Sequence, residues 1–303
     1  MPFNEKLIKN NYPLKDLTTF HIGGPADFFF EAETAQDIVD AVNYAKTANL
    51  PYFVIGGGSN LVISDKGIAG LVIQNSIKNI KQIDFDNQTI TLSTGHMLSE
   101  LVNTAEKEGF TGAEPFAGIP GSLGGAICGN AGAYGKSISD ILLEAEILLS
   151  DGVVKTVNKD FFDFSYRTSI LKRESHIVLS ATFALKQGNP EAIAQEIAQI
   201  KATRKTKHPG KEIGCAGSFF KNLPPKPGES RRRAAGEILE KIGAKKISFG
   251  GACVYENHAN FIINKGNAKA SDVRSLAKIL IDKVKELYGV ELEEEVRYVG
   301  RWD

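Results

Sequence analysis

The sequence has no excess of charge and few cysteines. Lysine plus arginine and aspartate plus glutamate number 36 each among the 303 residues, so the formal net charge is zero. This balance argues against a nucleic-acid partner, because such proteins usually carry a basic surface. The three cysteines, Cys128, Cys215 and Cys253, are widely spaced and odd in number. They argue against a disulfide framework and a metal site, and they favour a reducing compartment.

The sequence also lacks long apolar runs. Residues 1–6 contain no apolar segment of the kind found in a secretory signal. No stretch approaches the ~18 consecutive apolar residues typical of a membrane-spanning helix. We therefore expect a cytoplasmic protein with no membrane partner and no obligate protein partner. Hydrophobic residues make up 42% of the chain, enough for more than one core, and the length predicts two or three domains.

Two familiar phosphate-binding fingerprints are absent. Gly56 and Gly58 are followed by Leu61 where the dinucleotide motif G-x-G-x-x-G requires a third glycine. Residues 135–137, Gly-Lys-Ser, match the end of G-x-x-x-x-G-K-[ST], but Asn130 stands at its opening position. The sequence therefore predicts neither a Rossmann-type dinucleotide site nor a P-loop.

Glycine, by contrast, is concentrated in two segments. Seven glycines lie within residues 118–135, and a second cluster at 56–60 follows the apolar run Tyr52–Ile55. Glycine reaches positive φ without steric cost, so consecutive N–H groups can point into one concavity that holds phosphate oxygens. Tight turns between strands are the alternative for either cluster alone. Together the two clusters favour a large phosphorylated cofactor.

Periodicity predicts alternating strands and helices. Apolar spacing and capping residues predict helices over 34–50, 97–109, 191–207 and 271–288, the first capped by Thr34 and the last ended by Gly289. Strands are predicted over 26–31, 52–55, 70–75, 80–84, 88–93, 144–149, 153–157, 176–186 and 290–299.

Seven segments in one order carry a family resemblance. They are TTFHIGGPADFF, VIGGGSNLV, AGIPGSLGGAICGNAGAYG, SYRTS, AGSFFKN, HANFIIN and LEEEVRYVG, and they extend from Thr18 to Gly300. Together they resemble the UDP-N-acetylenolpyruvoylglucosamine reductases. The resemblance implies an NADPH-dependent flavoenzyme with non-covalent FAD, which reduces the enolpyruvyl group of UDP-N-acetylglucosamine enolpyruvate to UDP-N-acetylmuramate for peptidoglycan synthesis.

The same resemblance implies the fold and the domains. We expect an α+β protein in which an FAD-binding fold of the vanillyl-alcohol-oxidase type is followed by a C-terminal α/β substrate-binding domain. Residues 1–76 and 77–207 are predicted as two FAD-binding subdomains, with 290–303 returning to the second. Residues 208–289 are predicted as the substrate-binding domain.

Both glycine clusters become cofactor-binding segments on this resemblance. It implies that the loop 56–60 holds the FAD pyrophosphate and that the isoalloxazine lies beside 118–135. The implied cofactor residues are Ile55, Gly56, Gly57, Gly58, Ser59, Asn60, Gly118, Pro120, Gly121, Gly124, Gly125, Asn130, Gly132 and Ala133.

Three residues are implied to be catalytic. Arg167 matches the arginine that clamps the substrate carboxylate, a role suited to its bidentate fork. Ser218 matches the proton donor, although a serine hydroxyl needs a polarising neighbour to act as an acid. Glu295 matches the glutamate that stabilises the enol intermediate, and the spacing to Val296 and Gly300 selects it over its two neighbouring glutamates.

Four further residues are implied to bind substrate: Arg204, Lys207, Asn222 and His258. An alternative for Lys207 is a favourable interaction with a helix C-terminus, and for His258 a structural hydrogen bond. The arginines at 231–233 are a departure from the family pattern. We predict that they form a solvated first helical turn, with contact to the UDP phosphates as the alternative. No insertion follows Tyr134, so the chain resembles the shorter subclass that lacks a substrate-capping tyrosine loop.

Two other functions remain open at this point. A flavin-dependent alcohol or sugar oxidase of the same cofactor fold often attaches its flavin covalently, and His21 or His96 would be the attachment site. A flavin-binding regulatory protein without catalysis is the other alternative. The occurrence of Arg167, Ser218 and Glu295 in matching segments argues against the regulatory protein.

Overall fold

The structure, a computed structural model, describes residues 5–229 and 231–302, so the outer ends of the predicted segments at 1–4 and 303 lie outside the described residues. The described chain forms helices α1 Ala35–Thr47, α2 Leu98–Glu108, α3 Leu123–Cys128, α4 Pro190–Lys207, α5 Ala235–Lys241 and α6 Ala270–Tyr288. Its strands are β1 Lys9–Pro13, β2 Pro25–Ala32, β3 Tyr52–Ile55, β4 Leu61–Ile63, β5 Ile68–Asn75, β6 Lys81–Asp84, β7 Thr89–Ser93, β8 Phe110–Thr111, β9 Gly132–Ala133, β10 Lys136–Ser137, β11 Leu142–Leu148, β12 Val154–Asn158, β13 Ile177–Ala184, β14 Lys186–Gln187, β15 Gly214–Cys215, β16 Ser248–Phe249, β17 Ala252–Val254, β18 Ile262–Asn264 and β19 Arg297–Val299.

The chain divides into two compact units, each built from several stretches of sequence. The first unit comprises Met1–Asn10, Phe28–Gly57 and Gly70–Arg204. The second comprises Asn11–Asp27, Gly58–Ala69 and Lys205–Asp303. The predicted boundaries at 76/77, 207/208 and 289/290 remain predictions, although the second lies close to the point where the chain finally leaves the first unit.

The first unit contains an antiparallel sheet in the order β12-β11-β13-β7-β6. Strand β7 alternates half-buried and buried residues over most of its length, as expected where one face covers a core, whereas the central strand β13 is buried almost throughout. Helices α2, α3 and α4 contribute Leu101, Ile127 and Ile197 to that core, where each is at most 2% exposed. The two strands predicted over 144–149 and 153–157 correspond to β11 and β12, which pair antiparallel as a hairpin.

A second sheet has the order β1-β2-β5-β3, and its strands β3 and β5 are parallel. Helix α1 connects β2 to β3 and buries Ile38, Ala41, Val42 and Ala45 in an apolar cluster of the first unit. The helix begins where the sequence predicts, because the Thr34 side chain accepts the Asp37 N–H while the Asp37 carboxylate accepts the Thr34 N–H.

The second unit contains an antiparallel sheet in the order β15-β18-β17-β16. Helix α6 packs a row of fully buried residues, Val273, Leu276, Leu280 and Val284, into the apolar core of this unit. Gly289 ends the helix in the left-handed conformation at φ 61°, which confirms its predicted role.

The C-terminal strand differs from the prediction. Only Arg297–Val299 is a strand, and it pairs in parallel with β4, Leu61–Ile63, not with any strand in 77–207. Residues 293–295 instead form main-chain hydrogen bonds to 219–221, around the isolated bridge of Phe220 with Glu294. The alternation in 290–296 does not indicate either partner. Parallel partners more than two hundred residues apart leave no local pattern in a sequence. No helix among the described residues is long and apolar enough to span a membrane.

Candidate functional site

The first glycine cluster approaches the second within the first unit. A Cβ added at Gly57 would lie 3.0 Å from both the Gly121 Cα and the Ser122 nitrogen, and a Cβ added at Gly56 would overlap the Ser122 hydroxyl. Both positions are therefore crowded, by a side-chain hydroxyl at Gly56 and by backbone at Gly57. The Gly57 and Gly121 backbones approach closely because Gly57 has no side chain.

Ser122 organises this contact. Its Oγ accepts a hydrogen bond from the Gly57 N–H at 3.3 Å and from the Gly125 N–H at 3.3 Å, and it is the N-cap of α3. One hydroxyl thus fixes the glycine loop and satisfies the start of a helix. The sequence analysis did not include Ser122 among the site residues. A serine directly before a helical segment such as LGGAIC is nevertheless an N-cap signal.

Asn130 joins the glycine-rich segment to the turn that carries Arg167. The Asn130 amide donates to the Ser165 carbonyl at 3.0 Å and accepts the Ser139 N–H at 3.1 Å. Ser165 and Thr168 exchange both main-chain hydrogen bonds across the turn, which holds Arg167 at φ 59°. A left-handed arginine costs free energy, and such residues cluster at functional sites.

Two arginines lie side by side in the first unit. The Arg167 Nη2 donates to the Gly132 carbonyl at 2.7 Å, and the Arg204 stem packs so closely on Gly118 that a Cβ there would lie 2.9 Å from the Arg204 Cδ. Burial, and the neighbouring Arg167 cation, lower the pKa of the Arg204 guanidinium, while the phenol of Tyr134 opposes that shift. Two like charges together favour binding of an anion between them.

Arg204 carries the clearest sign of a missing partner. Its Nε is buried and has no hydrogen-bond acceptor, and its guanidinium forms no ion pair with any residue that the structure describes. Buried cations are normally paired, so an anionic or carbonyl-bearing ligand fits this position.

The remainder of the first glycine loop belongs to the second unit. A Cβ on Gly58, at φ 56°, would overlap the Leu17 carbonyl, so only glycine fits there. The Asn60 Nδ2 donates to the Glu295 carbonyl at 3.1 Å, and the Asn60 carbonyl accepts the Arg297 N–H at 3.0 Å. Asn60, predicted to bind cofactor, therefore also fixes the segment that carries Glu295 and leads into β19.

Ser218 is half-buried and follows Gly217, which adopts φ 75° with open space around its Cα. Its hydroxyl makes no hydrogen bond to any residue within 5–229 or 231–302. The next two residues, Phe219 and Phe220, are at most 1% exposed. The serine is thus an accessible hydroxyl at the end of a rigidly buried segment.

The three consecutive glutamates have different environments. Glu293 is exposed and forms an ion pair with Lys221. Glu294 accepts a hydrogen bond from the Tyr298 hydroxyl at 2.6 Å, and burial, with this bond and the glutamate charge, raises the pKa of Tyr298. Glu295 is half-buried, and its N–H donates to the Phe219 carbonyl at 2.8 Å. Structural partners account for the carboxylates of Glu293 and Glu294.

His258 lies in an aromatic cluster of the second unit, with ring centroids 4.9 Å from Phe261 and 6.0 Å from His208. Its Nδ1 accepts the Asn260 N–H at 3.2 Å, so the neutral ring carries its proton on Nε2. Burial, and then the Lys207 cation, lower the pKa of His258. The ring is therefore a neutral donor at physiological pH.

Asn222 is hydrogen-bonded to the segment that contains the arginines at 231–233. The Asn222 Oδ1 accepts the Ala235 N–H at 3.3 Å, and its carbonyl accepts the Arg232 Nε at 3.1 Å. The prediction of a solvated first helical turn for these arginines is wrong. Helix α5 begins later, at Ala235, because Arg233 exchanges both main-chain hydrogen bonds with Leu223 and is extended.

The predicted site residues thus fall into two groups. The first unit holds Ile55, Gly56, Gly57, Gly118, Pro120, Gly121, Gly124, Gly125, Asn130, Gly132, Ala133, Arg167 and Arg204. The second holds Gly58, Ser59, Asn60, Lys207, Ser218, Asn222, His258 and Glu295.

Comparison with known families gives two matches along the chain. A family described as an FAD binding domain matches residues 26–158. A second, described as the C-terminal domain of UDP-N-acetylenolpyruvoylglucosamine reductase, matches residues 208–299.

Individual relatives agree with these matches. A UDP-N-acetylenolpyruvoylglucosamine reductase from Clostridium novyi is 38% identical over 97% of this chain and 92% of its own length. One from Bacillus velezensis is 39% identical over 95% of this chain and 92% of its own length. The crystal structure of the enzyme from Thermus caldophilus matches with a TM-score of 0.78 at 31% identity, covering 95% of this chain and 97% of that one.

Proposed function

Since the chain belongs to the UDP-N-acetylenolpyruvoylglucosamine reductase family, we propose that Arg167, Ser218 and Glu295 carry out its reaction. That reaction is the NADPH-dependent, FAD-mediated reduction of UDP-N-acetylglucosamine enolpyruvate to UDP-N-acetylmuramate, a precursor of peptidoglycan. The proposal rests on how the chemistry of the site residues is divided between the two units. One unit holds two half-buried arginines, each with a buried Nε, and the other holds an accessible hydroxyl and a half-buried carboxylate.

The residues of the first unit fit FAD. An added Cβ would overlap the Ser122 hydroxyl at Gly56 and would lie 3.0 Å from the Gly121 and Ser122 backbone at Gly57, so both positions favour glycine, as a pyrophosphate-binding segment does. Ser122 holds that segment in place through two N–H groups. The buried Arg204 Nε needs an acceptor of the kind that a flavin ring or a carboxylate provides. These residues would hold the cofactor, which supplies a hydride to the terminal carbon of the enolpyruvyl group.

Negative charge develops on the substrate carboxylate during this reduction. We assign Arg167 to that carboxylate, because a guanidinium makes two parallel charge-assisted hydrogen bonds to it. Arg204 stands beside it in the first unit, so the pair can stabilise an enolate-like charge that one cation would stabilise less. This role is more specific than the substrate contact that the resemblance implies for Arg204, and it is part of the proposal.

Completion of the reaction requires a proton at the carbon next to the carboxylate. Ser218 supplies it in this proposal, since its hydroxyl is accessible and has no competing protein partner among the described residues. Glu295 is assigned to the enol intermediate, because it matches the glutamate of the family segment and is half-buried. Lys207, Asn222 and His258 remain proposed substrate contacts.

The relatives named as the reductase cover 95–97% of this chain, so we favour the reductase with non-covalent FAD over the alternative oxidase. We further propose that the reaction takes place in the cytoplasm without a protein partner. The three cysteines form no disulfide among the described residues, as is usual for proteins of a reducing compartment.

The experiment separates the two half-reactions. The flavin of the purified holoenzyme is reduced anaerobically with NADPH in a stopped-flow instrument, and its reoxidation by UDP-N-acetylglucosamine enolpyruvate is then followed. In Ser218→Ala, reduction by NADPH is expected to be unchanged, and reoxidation to be about 10²- to 10⁴-fold slower, the usual contribution of a general acid.

Ser248→Ala is the matched control, because Ser248 is an exposed serine of the same unit. Unchanged reoxidation in Ser218→Ala would remove Ser218 from the mechanism. If the reduced flavin of the wild type is reoxidised only by oxygen, the proposal that UDP-N-acetylglucosamine enolpyruvate is the substrate is wrong.

A further inference from the structure

The segment after Ser218 has one edge paired with a strand. Residues 219–221 lie antiparallel to 293–295, with the Glu295 N–H donating to the Phe219 carbonyl and the Lys221 N–H donating to the Glu293 carbonyl, both at 2.8 Å. In this register the N–H and C=O of Phe220 point to the opposite edge. Phe220 is 1% exposed, so water does not reach these groups and the protein must satisfy them.

A single side chain occupies that opposite edge. The Asn260 Oδ1 accepts the Phe220 N–H at 2.9 Å, and the Asn260 Nδ2 donates to the Phe220 carbonyl at 2.8 Å. The main-chain carbonyl of Asn260 accepts the Phe219 N–H at 2.8 Å. The carboxamide thus takes the part of a neighbouring strand, and one residue makes three hydrogen bonds to the two residues that follow Ser218.

Asn260 itself is rigidly held. It is 4% exposed, its N–H donates to the His258 Nδ1 at 3.2 Å, and it directly precedes the strand segment that leads into β18. Strand β18 is an inner strand of the four-stranded sheet. The position of the Asn260 carboxamide is therefore tied to the most constrained part of the second unit.

Ser218 lies between two anchored segments. On its N-terminal side, Cys215 pairs with Ile263 of β18, and the Cys215 carbonyl accepts the Thr19 hydroxyl at 2.7 Å. Gly217, at φ 75°, separates that anchor from the serine and has no atom within 4 Å of an added Cβ. The Ser218 hydroxyl has no hydrogen-bond partner among the described residues. On the C-terminal side, Phe219 and Phe220 hold the serine in place.

We propose that Asn260 is a positioning residue for Ser218, which sets the distance of the serine hydroxyl from the carbon that it protonates. The inference rests on the proposed role of Ser218. Asn260 touches neither the reacting atoms nor the cofactor in this proposal and acts only through the segment 218–220. Its loss should therefore slow proton transfer and leave flavin reduction by NADPH unchanged.

Two substitutions test the carboxamide. Asn260→Leu keeps the approximate volume and removes both polar atoms. Asn260→Asp keeps the acceptor for the Phe220 N–H but has no donor for the Phe220 carbonyl, and it provides a polar variant if the leucine variant does not fold.

Asn264→Leu is the matched control. The Asn264 Nδ2 donates to the Phe20 carbonyl at 3.2 Å, and its Oδ1 accepts the N–H groups of Gly266 and Ala268. Its carboxamide thus makes three main-chain hydrogen bonds in the same unit, one more than the Asn260 carboxamide, but none to 218–220. Substitutions at Asn260 and at Asn264 are both expected to lower the stability of the protein, but only those at Asn260 are expected to affect Ser218.

The measurement is the pair of half-reactions in each holoenzyme, with thermal melting alongside. Both Asn260 variants are expected to reoxidise with substrate about 10- to 100-fold more slowly, as misplacement of a reacting group by ~1 Å predicts. Their reduction by NADPH is expected to match the wild type. Asn264→Leu is expected to melt at a lower temperature with both half-reactions unchanged.

The double variant Ser218→Ala with Asn260→Leu completes the test. If Asn260 acts through the serine, the second substitution adds no further slowing of reoxidation. Additive slowing, equal effects on both half-reactions, or normal reoxidation in the Asn260 variants would each overturn the inference. An effect of Ser218→Ala without an effect of Asn260→Leu rejects this inference alone, whereas no effect of Ser218→Ala rejects the proposed function and the inference with it.

Discussion

The Glu295 N–H donates to the Phe219 carbonyl at 2.8 Å, so the proposed catalytic glutamate and the residue after the proposed proton donor share a main-chain hydrogen bond. The two groups therefore cannot shift independently. Both residues belong to the second unit, which holds the hydroxyl of residue 218 and the carboxylate of residue 295 at fixed relative positions.

Glutamine substitutions distinguish the three consecutive glutamates. Glu295→Gln is expected to lower kcat by about 10²- to 10³-fold, in the range seen when a stabilising group is removed. Glu293→Gln loses only an exposed ion pair with Lys221 and should leave kcat unchanged. Steady-state kinetics of the two variants checks this, and the reverse ranking would show that the assignment is displaced along the strand.

Arg204→Met is expected to weaken substrate binding without loss of protein stability. Methionine keeps the stem that packs on Gly118 and removes a buried cation next to Arg167. Loss of a hydrogen bond to a charged group costs about 1.5–3 kcal/mol, which corresponds to a roughly 10- to 100-fold higher KM.

Thermal melting with and without substrate completes that measurement. Relief of the repulsion between two cations predicts an equal or higher Tm for the variant alone, and a smaller rise of Tm on substrate addition. A lower Tm with unchanged KM would mean that Arg204 is structural.

Gly57→Ala is expected to reduce FAD binding. The new methyl group would meet the Gly121 and Ser122 backbone at 3.0 Å, and overpacking of this kind costs about 1–3 kcal/mol. The ratio of flavin to protein absorbance after purification measures occupancy, and titration of apoprotein with FAD measures Kd.

Gly129→Ala is the control for that variant. Its added Cβ would lie 3.4 Å from the Gly125 carbonyl, and its φ of −85° suits alanine. Full FAD occupancy in Gly57→Ala would contradict the close contact of the two glycine segments.

Stability should decline in acid partly because of His258. Burial, and then Lys207, lower the pKa of this ring in the folded protein, so below the unfolded value of about 6.5 the unfolded chain binds more protons. The free energy of unfolding contributed by His258 is therefore complete above that pH and is lost as the pH falls through it. Denaturant unfolding from pH 7 to pH 5 should show a shallower decline in His258→Gln, and parallel curves would contradict the shift.

Local signals in the sequence predicted local structure well. Thr34 with Asp37 gave the start of α1, and Gly289 gave the end of α6, because each signal acts within one helical turn. The residues of the candidate site were located by the order of seven segments, a property of the whole chain. Their partners within the fold were not.

What the sequence could not predict depends on distant contacts. The bonds of Asn260 to Phe220 join residues forty positions apart, and nothing near either residue indicates them. The arginines at 231–233 were misjudged for a related reason. Their extended form comes from pairing of Arg233 with Leu223, a contact stronger than the local preference for a helix start.

The parallel pairing of β19 with β4 has a consequence for how such genes can change. Residues 61–63 and 297–299 lie more than two hundred residues apart, yet they form one two-stranded sheet of the second unit. A crossover between two related genes anywhere in the long stretch that encodes Gly70–Arg204 would separate one strand from its inherited partner. A hybrid protein of that kind would pair strands from two different parents, so the side chains at these six positions would have to be compatible.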